Sequence, residues 1–199
     1  MNKAVVIFAV IVVMALALLT FKFLNSGPQP EQTTFFDDFE NHFGNWTIGS
    51  QVPEDPNNPG HSVEWLVEWS SNQSFSGKNS VLFWIDGRQD DGTIWITRKL
   101  TLEPNSEKSV NISFQLWSGE ESFNTLAAVV GYIDENKPQA ETDFQVLGAA
   151  NQVSGWKAYS LSNEIVTNNT GEVYVAFGIS VRWETELIYF ADSVEIKID

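Results

Sequence analysis

Glu172-Val-Tyr-Val-Ala-Phe-Gly-Ile-Ser-Val-Arg-Trp-Glu184 is the stretch that decides the fold. Val173, Val175, Phe177, Ile179, Val181 and Trp183 recur at every second position, with Tyr174, Ser180, Arg182 and Glu184 between them. Side chains of a β-strand point alternately to opposite faces, so this pattern predicts a strand with one buried and one polar face. A helix would repeat its apolar positions every three to four residues, and no such period appears here.

The same alternation runs through the flanking chain. It predicts strands over 33–40, 63–70, 80–86, 93–100, 109–117, 125–134, 143–147, 156–161, 172–184 and 187–198. Turn-forming clusters separate them: Pro53-Glu-Asp-Pro-Asn-Asn-Pro-Gly60, Asp86-Gly87, Asp91-Gly92, Glu103-Pro104-Asn105 and Asn169-Thr-Gly171. About ten short strands with hairpin-length connections predict one all-β domain over 33–199, an antiparallel sandwich. In 109–117, Val110, Ile112, Phe114 and Leu116 share the core face, and Asn111, Ser113, Gln115 and Trp117 face away. In 93–100, Ile94, Ile96 and Leu100 lie with Arg98, opposite Thr93, Trp95, Thr97 and Lys99. Trp65 and Trp69 fall in step with Val63 and Val67 and are assigned to the core.

Ahead of this domain, residues 4–21 are apolar apart from Thr20 and are flanked by Lys3 and Lys22. As a helix they would span about 27 Å, close to the hydrocarbon thickness of a bilayer. Residues 1–24 are therefore expected to form a retained N-terminal transmembrane anchor, and 25–32, with Pro28 and Pro30, a stiff linker. A signal peptide is the competitor, but its apolar core is shorter and a small-residue cleavage site should follow it. Lys3 and the terminal amine bias residues 25–199 to the extracytoplasmic side.

Composition narrows the function. The 199 residues carry a formal net charge of -15, and the two lysines flanking the apolar segment do nothing to neutralise the domain. Such a surface repels nucleic acid and anionic lipid headgroups, so neither is an expected partner of the domain. There is no cysteine, which excludes disulfides, thiolate metal sites and a Cys nucleophile. His42 and His61 lie in turn-rich segments with no serine nucleophile motif beside them. Glycoside hydrolysis needs two carboxylates about 5–10 Å apart. Glu184 with Glu186 and Glu64 with Glu68 are the candidate pairs, although exposed Glu pairs on strands usually mark only a solvated face.

Several short motifs resemble a known family. Phe35-Phe-Asp-Asp-Phe-Glu40, followed by Gly44-Asn-Trp46, resembles the opening of jelly-roll carbohydrate-binding modules and the related MAM adhesion domains. Phe75-Ser-Gly-Lys-Asn-Ser-Val-Leu82 is similar to their Ser-Gly-x-x-Ser-Leu segment, and Ile188-Tyr-Phe-Ala-Asp-Ser-Val-Glu-Ile196 to their last strand. MAM domains usually carry cysteines that this chain lacks. The resemblance implies a jelly-roll topology and a structural Ca²⁺ joining the first strand, the Gly-containing loop and the last strand. Carried over by position, Asp38, Glu40 and Asp192 would supply carboxylates and Lys78 a backbone carbonyl. Calcium takes six to eight such oxygens. Asp192 shares alternation with Phe190, Val194 and Ile196, so its charge needs a partner: a metal, the backbone of a turn that it caps, or a cation such as Lys78 or Arg98.

The resemblance also makes a glycan the expected ligand, with a cell-surface protein as the alternative. Trp95, Trp117 and Tyr174 are large rings on otherwise polar strand faces, where they could stack on sugar C–H groups. Gln115, Asn111 and Arg182 could bond the hydroxyls. The plainer alternative is that these rings form a second apolar layer beneath a long loop. Asn45, Asn72, Asn111 and Asn168 each begin an Asn-x-Ser/Thr sequon, and a glycan on Asn111 would obstruct the proposed face. The Asp86–Gly92 segment has three carboxylates but lacks the spacing of an EF-hand loop, and is read as a solvated hairpin.

Overall fold

The alternating strand over 172–184 lies at the centre of one of two sheets. The structure, a computed structural model, describes residues 32–88 and 91–199. The expected anchor over 1–24, most of the linker and Asp90 lie outside the described residues. Among those described, no helix is long and apolar enough to cross a membrane.

Thr33–Asp199 forms one compact unit. Its strands are β1 (Thr33–Asp37), β2 (Trp46–Gln51), β3 (Trp65–Ser70), β4 (Ser80–Ile85), β5 (Thr93–Thr101) and β6 (Glu107–Ser118). They continue with β7 (Ala127–Asp134), β8 (Gln145–Ala149), β9 (Gly155–Val166), β10 (Glu172–Val181) and β11 (Leu187–Ile198). The first sheet runs β3-β4-β11-β6-β9, with β1 also on β11; the second runs β2-β5-β10-β7-β8. All pairings are antiparallel. Only the β3–β4 and β7–β8 connections stay within a sheet, and every other one crosses to the opposite layer.

The inner faces are the ones the alternation marks. Val173, Val175, Phe177 and Ile179 are fully buried, as are Ile94, Ile96, Val110 and Ile112. Phe177 stacks on Phe114 with ring centroids 4.1 Å apart and meets the edges of Trp46 and Phe83. Arg98, on this same face, is also buried; it pairs with Asp37 and its guanidinium lies 4.8 Å from the Phe35 ring centroid. One cation thus links β5 in the second sheet to β1 in the first.

Three details differ from expectation. Trp183 does not continue the core series: β10 ends at Val181, the chain turns with Thr185 N–H donating to the Trp183 carbonyl, and the ring is 51% exposed. Trp65 packs against the core, but Trp69 reaches the surface, stacking on His42 at 5.5 Å while its Nε1–H donates to the Phe39 carbonyl at 2.6 Å. The short strand β2 was not anticipated. Its Gly49 is placed where any Cβ would come within 2.4 Å of the Trp95 indole, so the pairing with β5 depends on a residue that strand propensity disfavours.

One edge of β11 is shared end to end by two partners. β4 pairs with Leu187–Ala191 and β1 with Val194–Ile198. Between them, at Asp192 and Ser193, the register against β6 slips by one residue and Ser193 has φ 53°. This bulge changes which face the strand's residues occupy. Phe190 lies opposite Trp117 on the outer face, whereas Ile196 lies opposite Ile112 in the core. The expectation that Phe190, Val194 and Ile196 share a face is therefore corrected.

Candidate ligand-binding face

The bulge creates the most distinctive surface of the domain. Because Phe190 points outward, the register across the first sheet reads Glu68, Leu82, Phe190, Trp117, Trp156. One step along the strands a second row reads Leu66, Trp84, Ile188. Trp117 meets Phe190 edge-on at 5.5 Å, and Phe75 from the β3–β4 loop meets Trp156 edge-on at 5.6 Å. Leu82 and Phe190 form a buried floor, Trp117, Trp156 and Trp84 are half-buried, and Ile188 and Phe75 are exposed. Over the floor opens a depression of about 630 Å³ reaching from Asn72 and Gln73 to Trp117, Gly119 and Glu120 and back along Glu186 to Phe190. Glu186 is held there by the Trp84 indole, whose Nε1–H donates to its Oε1 at 2.9 Å. A Cβ on Gly119 would lie 3.1 Å from the Trp117 ring, so a glycine keeps that indole low against the sheet.

Of the five expected ligand residues, the structure brings Trp117 to this face, with Gln115 beside it on the same strand face. Trp95, Tyr174 and Arg182 belong to the outer face of the other sheet. There the segment after β7 folds back as a strap. Its Phe144 packs 5.1 Å from Trp95 and 5.6 Å from Tyr132, and leaves Trp95 only 3% exposed. Arg182 donates to Glu141 in the strap at 2.8 Å, and the Ser180 hydroxyl donates to the same oxygen at 2.7 Å. Tyr174 packs beside Trp95, Tyr132 and Ala176. The second-layer alternative thus describes this face, since alternation gives the direction of a side chain but not what covers it.

The strap carries a pH dependence. Burial pushes the Glu141 carboxyl up, but Arg182 and Ser180 outweigh it and hold it below the ordinary carboxylate range. The Gln139 and Ala140 N–H groups likewise lower Asp143. A carboxyl with a lowered folded value stabilises above its unfolded value and loses that contribution as pH falls through the folded one. Acidification below about pH 4 should therefore loosen the strap and wet Trp95. The difference in fluorescence between native protein and Trp95→Phe should shift red there before far-UV dichroism changes. A difference spectrum that stays constant until global unfolding counts against it.

The residues expected to hold calcium occupy one neighbourhood but use their oxygens otherwise. Asp192 is fully buried, and its Oδ2 accepts N–H groups from Phe75 and Ser76, both at 2.8 Å. Glu40 Oε1 accepts those of Lys78 and Asn79, both at 2.7 Å, with Gly77 at φ 60° pressed against the carboxylate. Asp38 Oδ1 accepts the N–H of Glu40 at 3.1 Å. Lys78 thus offers an amide N–H where the resemblance implied a carbonyl, and Arg98 is committed to Asp37. Among the described residues no three acidic or histidine side chains come together as a cation site. As placed, the set does not fit Ca²⁺; the two carboxylates latch the 75–79 loop. Burial raises the Asp192 carboxyl above its ordinary value, and the N–H groups of Ser76, Ser193 and Phe75 only partly offset this.

Trp84, Trp156, Phe190, Phe75, Glu120 and Glu186 are site residues that sequence reasoning did not assign. Trp84 and Trp156 alternate with core positions and could have been found by the test applied to Trp117. Phe190 could not, because the bulge reverses its parity. Asn111 donates to the Ser162 hydroxyl on the same sheet and does not line the depression; the sequon residue that does is Asn72.

No protein-family model matches the chain, and no curated protein matches it. Solved structures match in fold. The K3 cleaved adhesin domain of Lys-gingipain from Porphyromonas gingivalis W83 aligns with 84% of this chain and 99% of its own, at 14% identity and a TM-score of 0.50. The CBM22-1 xylan-binding domain of Paenibacillus barcinonensis Xyn10C aligns with 82% and 92%, at 15% identity and 0.48. A carbohydrate-binding module that recognises mannan aligns with 84% and 98%, at 12% identity and 0.45. The likeness to the adhesin domain is one of architecture alone.

Proposed function

We propose that the domain is a glycan-binding module whose site is the outer face of the β3-β4-β11-β6-β9 sheet. The observation that carries this is the row Phe190-Trp117-Trp156 across three neighbouring strands, with a depression beside it. Rigid rings fixed on strands give flat apolar platforms at low entropic cost, and pyranose C–H faces stack on such platforms. Gln73, Asn72 and Gln115 supply amides at its margin, where hydroxyls need both donors and acceptors. Residues 4–21 would tether the module to a membrane, with the acidic domain on the extracytoplasmic side, where glycans are displayed.

Trp117→Ala tests the site. Removing one stacking ring should cost about 2 kcal/mol of binding, or roughly thirtyfold in affinity, on a glycan array or in an affinity gel. Glycan binding that Trp117→Ala leaves unchanged places the site elsewhere. Self-association or protein capture through the same face, insensitive to free sugars, identifies a protein-interaction domain instead.

A further inference from the structure

We propose that the depression selects cationic glycans, meaning oligosaccharides of unacetylated amino sugars, over neutral and acidic ones. This rests on the glycan reading of the face and specifies its ligand. Among the described residues, the charged side chains lining the depression are Glu120 and Glu186, both exposed, and no Lys or Arg lines it. Glu68 adds a third exposed carboxylate at the end of the row, beside Leu82. Glu186 is oriented by the Trp84 indole and so presents its charge from a fixed place.

The rings of Trp117 and Phe190 line the same depression as the two carboxylates. An aromatic face carries negative charge density and attracts an ammonium group within about 6 Å. Carboxylates at the rim and rings at the floor therefore favour the same ligand charge. Each ammonium–carboxylate contact is attractive in water, and more so where the sheet excludes solvent. A uronate in the same place meets its own sign of charge on every charged group of the site. The chain's net charge of -15 acts in the same direction at long range. A neutral glycan has the stacking but none of the electrostatic gain.

The experiment titrates the full-length protein with tetrasaccharides of glucosamine, N-acetylglucosamine and galacturonic acid by calorimetry, at a pH where the amine is protonated. Glucosamine should bind on the order of tenfold tighter than its acetylated form, and galacturonate should not bind. About 1 M salt, which shortens the screening length to about 3 Å, should erase most of the preference. The Glu120→Gln/Glu186→Gln variant should lose the tenfold preference. Equal binding of both neutral and cationic sugars, a preference that survives the double substitution, or uptake of galacturonate would overturn the selectivity and leave the glycan site standing. Binding of none of the three would remove both. Polylysine binding as tightly as the amino sugar and indifferent to Trp117→Ala would show bulk charge attraction and overturn the selective site.

Discussion

Replacing Asp192 by alanine should lower the stability of the domain by about 2–4 kcal/mol, out of the 5–15 kcal/mol typical of a folded domain. The carboxylate accepts the N–H groups of Phe75, Ser76 and Ser193 in a place with no exposure, and alanine would leave those donors buried without partners. Equilibrium urea denaturation measures the loss. The same change should weaken glycan binding, because Phe75 is the ring that flanks Trp156 and its backbone is held by Asp192. A variant of native stability would mean that the loop stands without the latch.

Asp192 also decides the calcium question. Burial raises its folded-state value, so its contribution is fully present below the unfolded value and is lost as pH rises through the folded one. A bound cation would invert this by favouring the charged form. Without a cation, EDTA should leave the melting curve in place, and a modest loss of stability should accompany rising pH. A melting temperature lowered several degrees by EDTA and restored by calcium would show that the 75–79 loop turns its carbonyls inward and that the calcium expectation holds.

Phe177→Ala should be the most damaging single change, at about 3–5 kcal/mol. The ring is fully buried and touches Phe114, Phe83 and Trp46, which come from both sheets and from three different strands. No neighbouring side chain can collapse into that space without abandoning another stack. Thermal denaturation should show a fall in melting temperature of about 6–20 °C, at about 2–4 °C per kcal/mol for a domain of this length. Phe177→Leu, which keeps most of the volume, should recover about half of the loss. Equal losses for the two variants would show that the site tolerates a cavity.

The core was legible because alternation is a local property, and burial of one face leaves its mark on each strand separately. Val173 to Ile179 and Val110 to Leu116 could be placed from the sequence alone. The proposed ligand face was legible only at Trp117 and Gln115. Phe190 escaped because a one-residue bulge at Ser193 is set by the tertiary demand for Asp192 in the loop, not by any turn signal of the usual kind. Trp95 was misjudged for a different reason: its direction was right, but the strap that covers it is a long-range contact. Asp192 was correctly singled out as a buried charge in need of a partner. Its partners are backbone amides, as in the turn-capping alternative, but the loop that supplies them lies more than a hundred residues away and leaves no local mark.

The sharing of β11 by β1 and β4 has a kinetic consequence. Thr33 pairs with Ile198 across nearly the whole domain, and β4 must meet a strand about a hundred residues later. Pairings between such distant segments bear the full entropy of loop closure before any contact repays it, so the sandwich should fold in milliseconds to seconds rather than microseconds. During synthesis β11 is the last strand of the domain to appear, and with it come Phe190, the middle of the first row, and Ile188, the end of the second. Nascent chains that lack β11 have unpaired edges on β1, β4 and β6 and no floor to their ligand face. Binding competence should thus arrive abruptly, with the final strand, rather than grow with chain length.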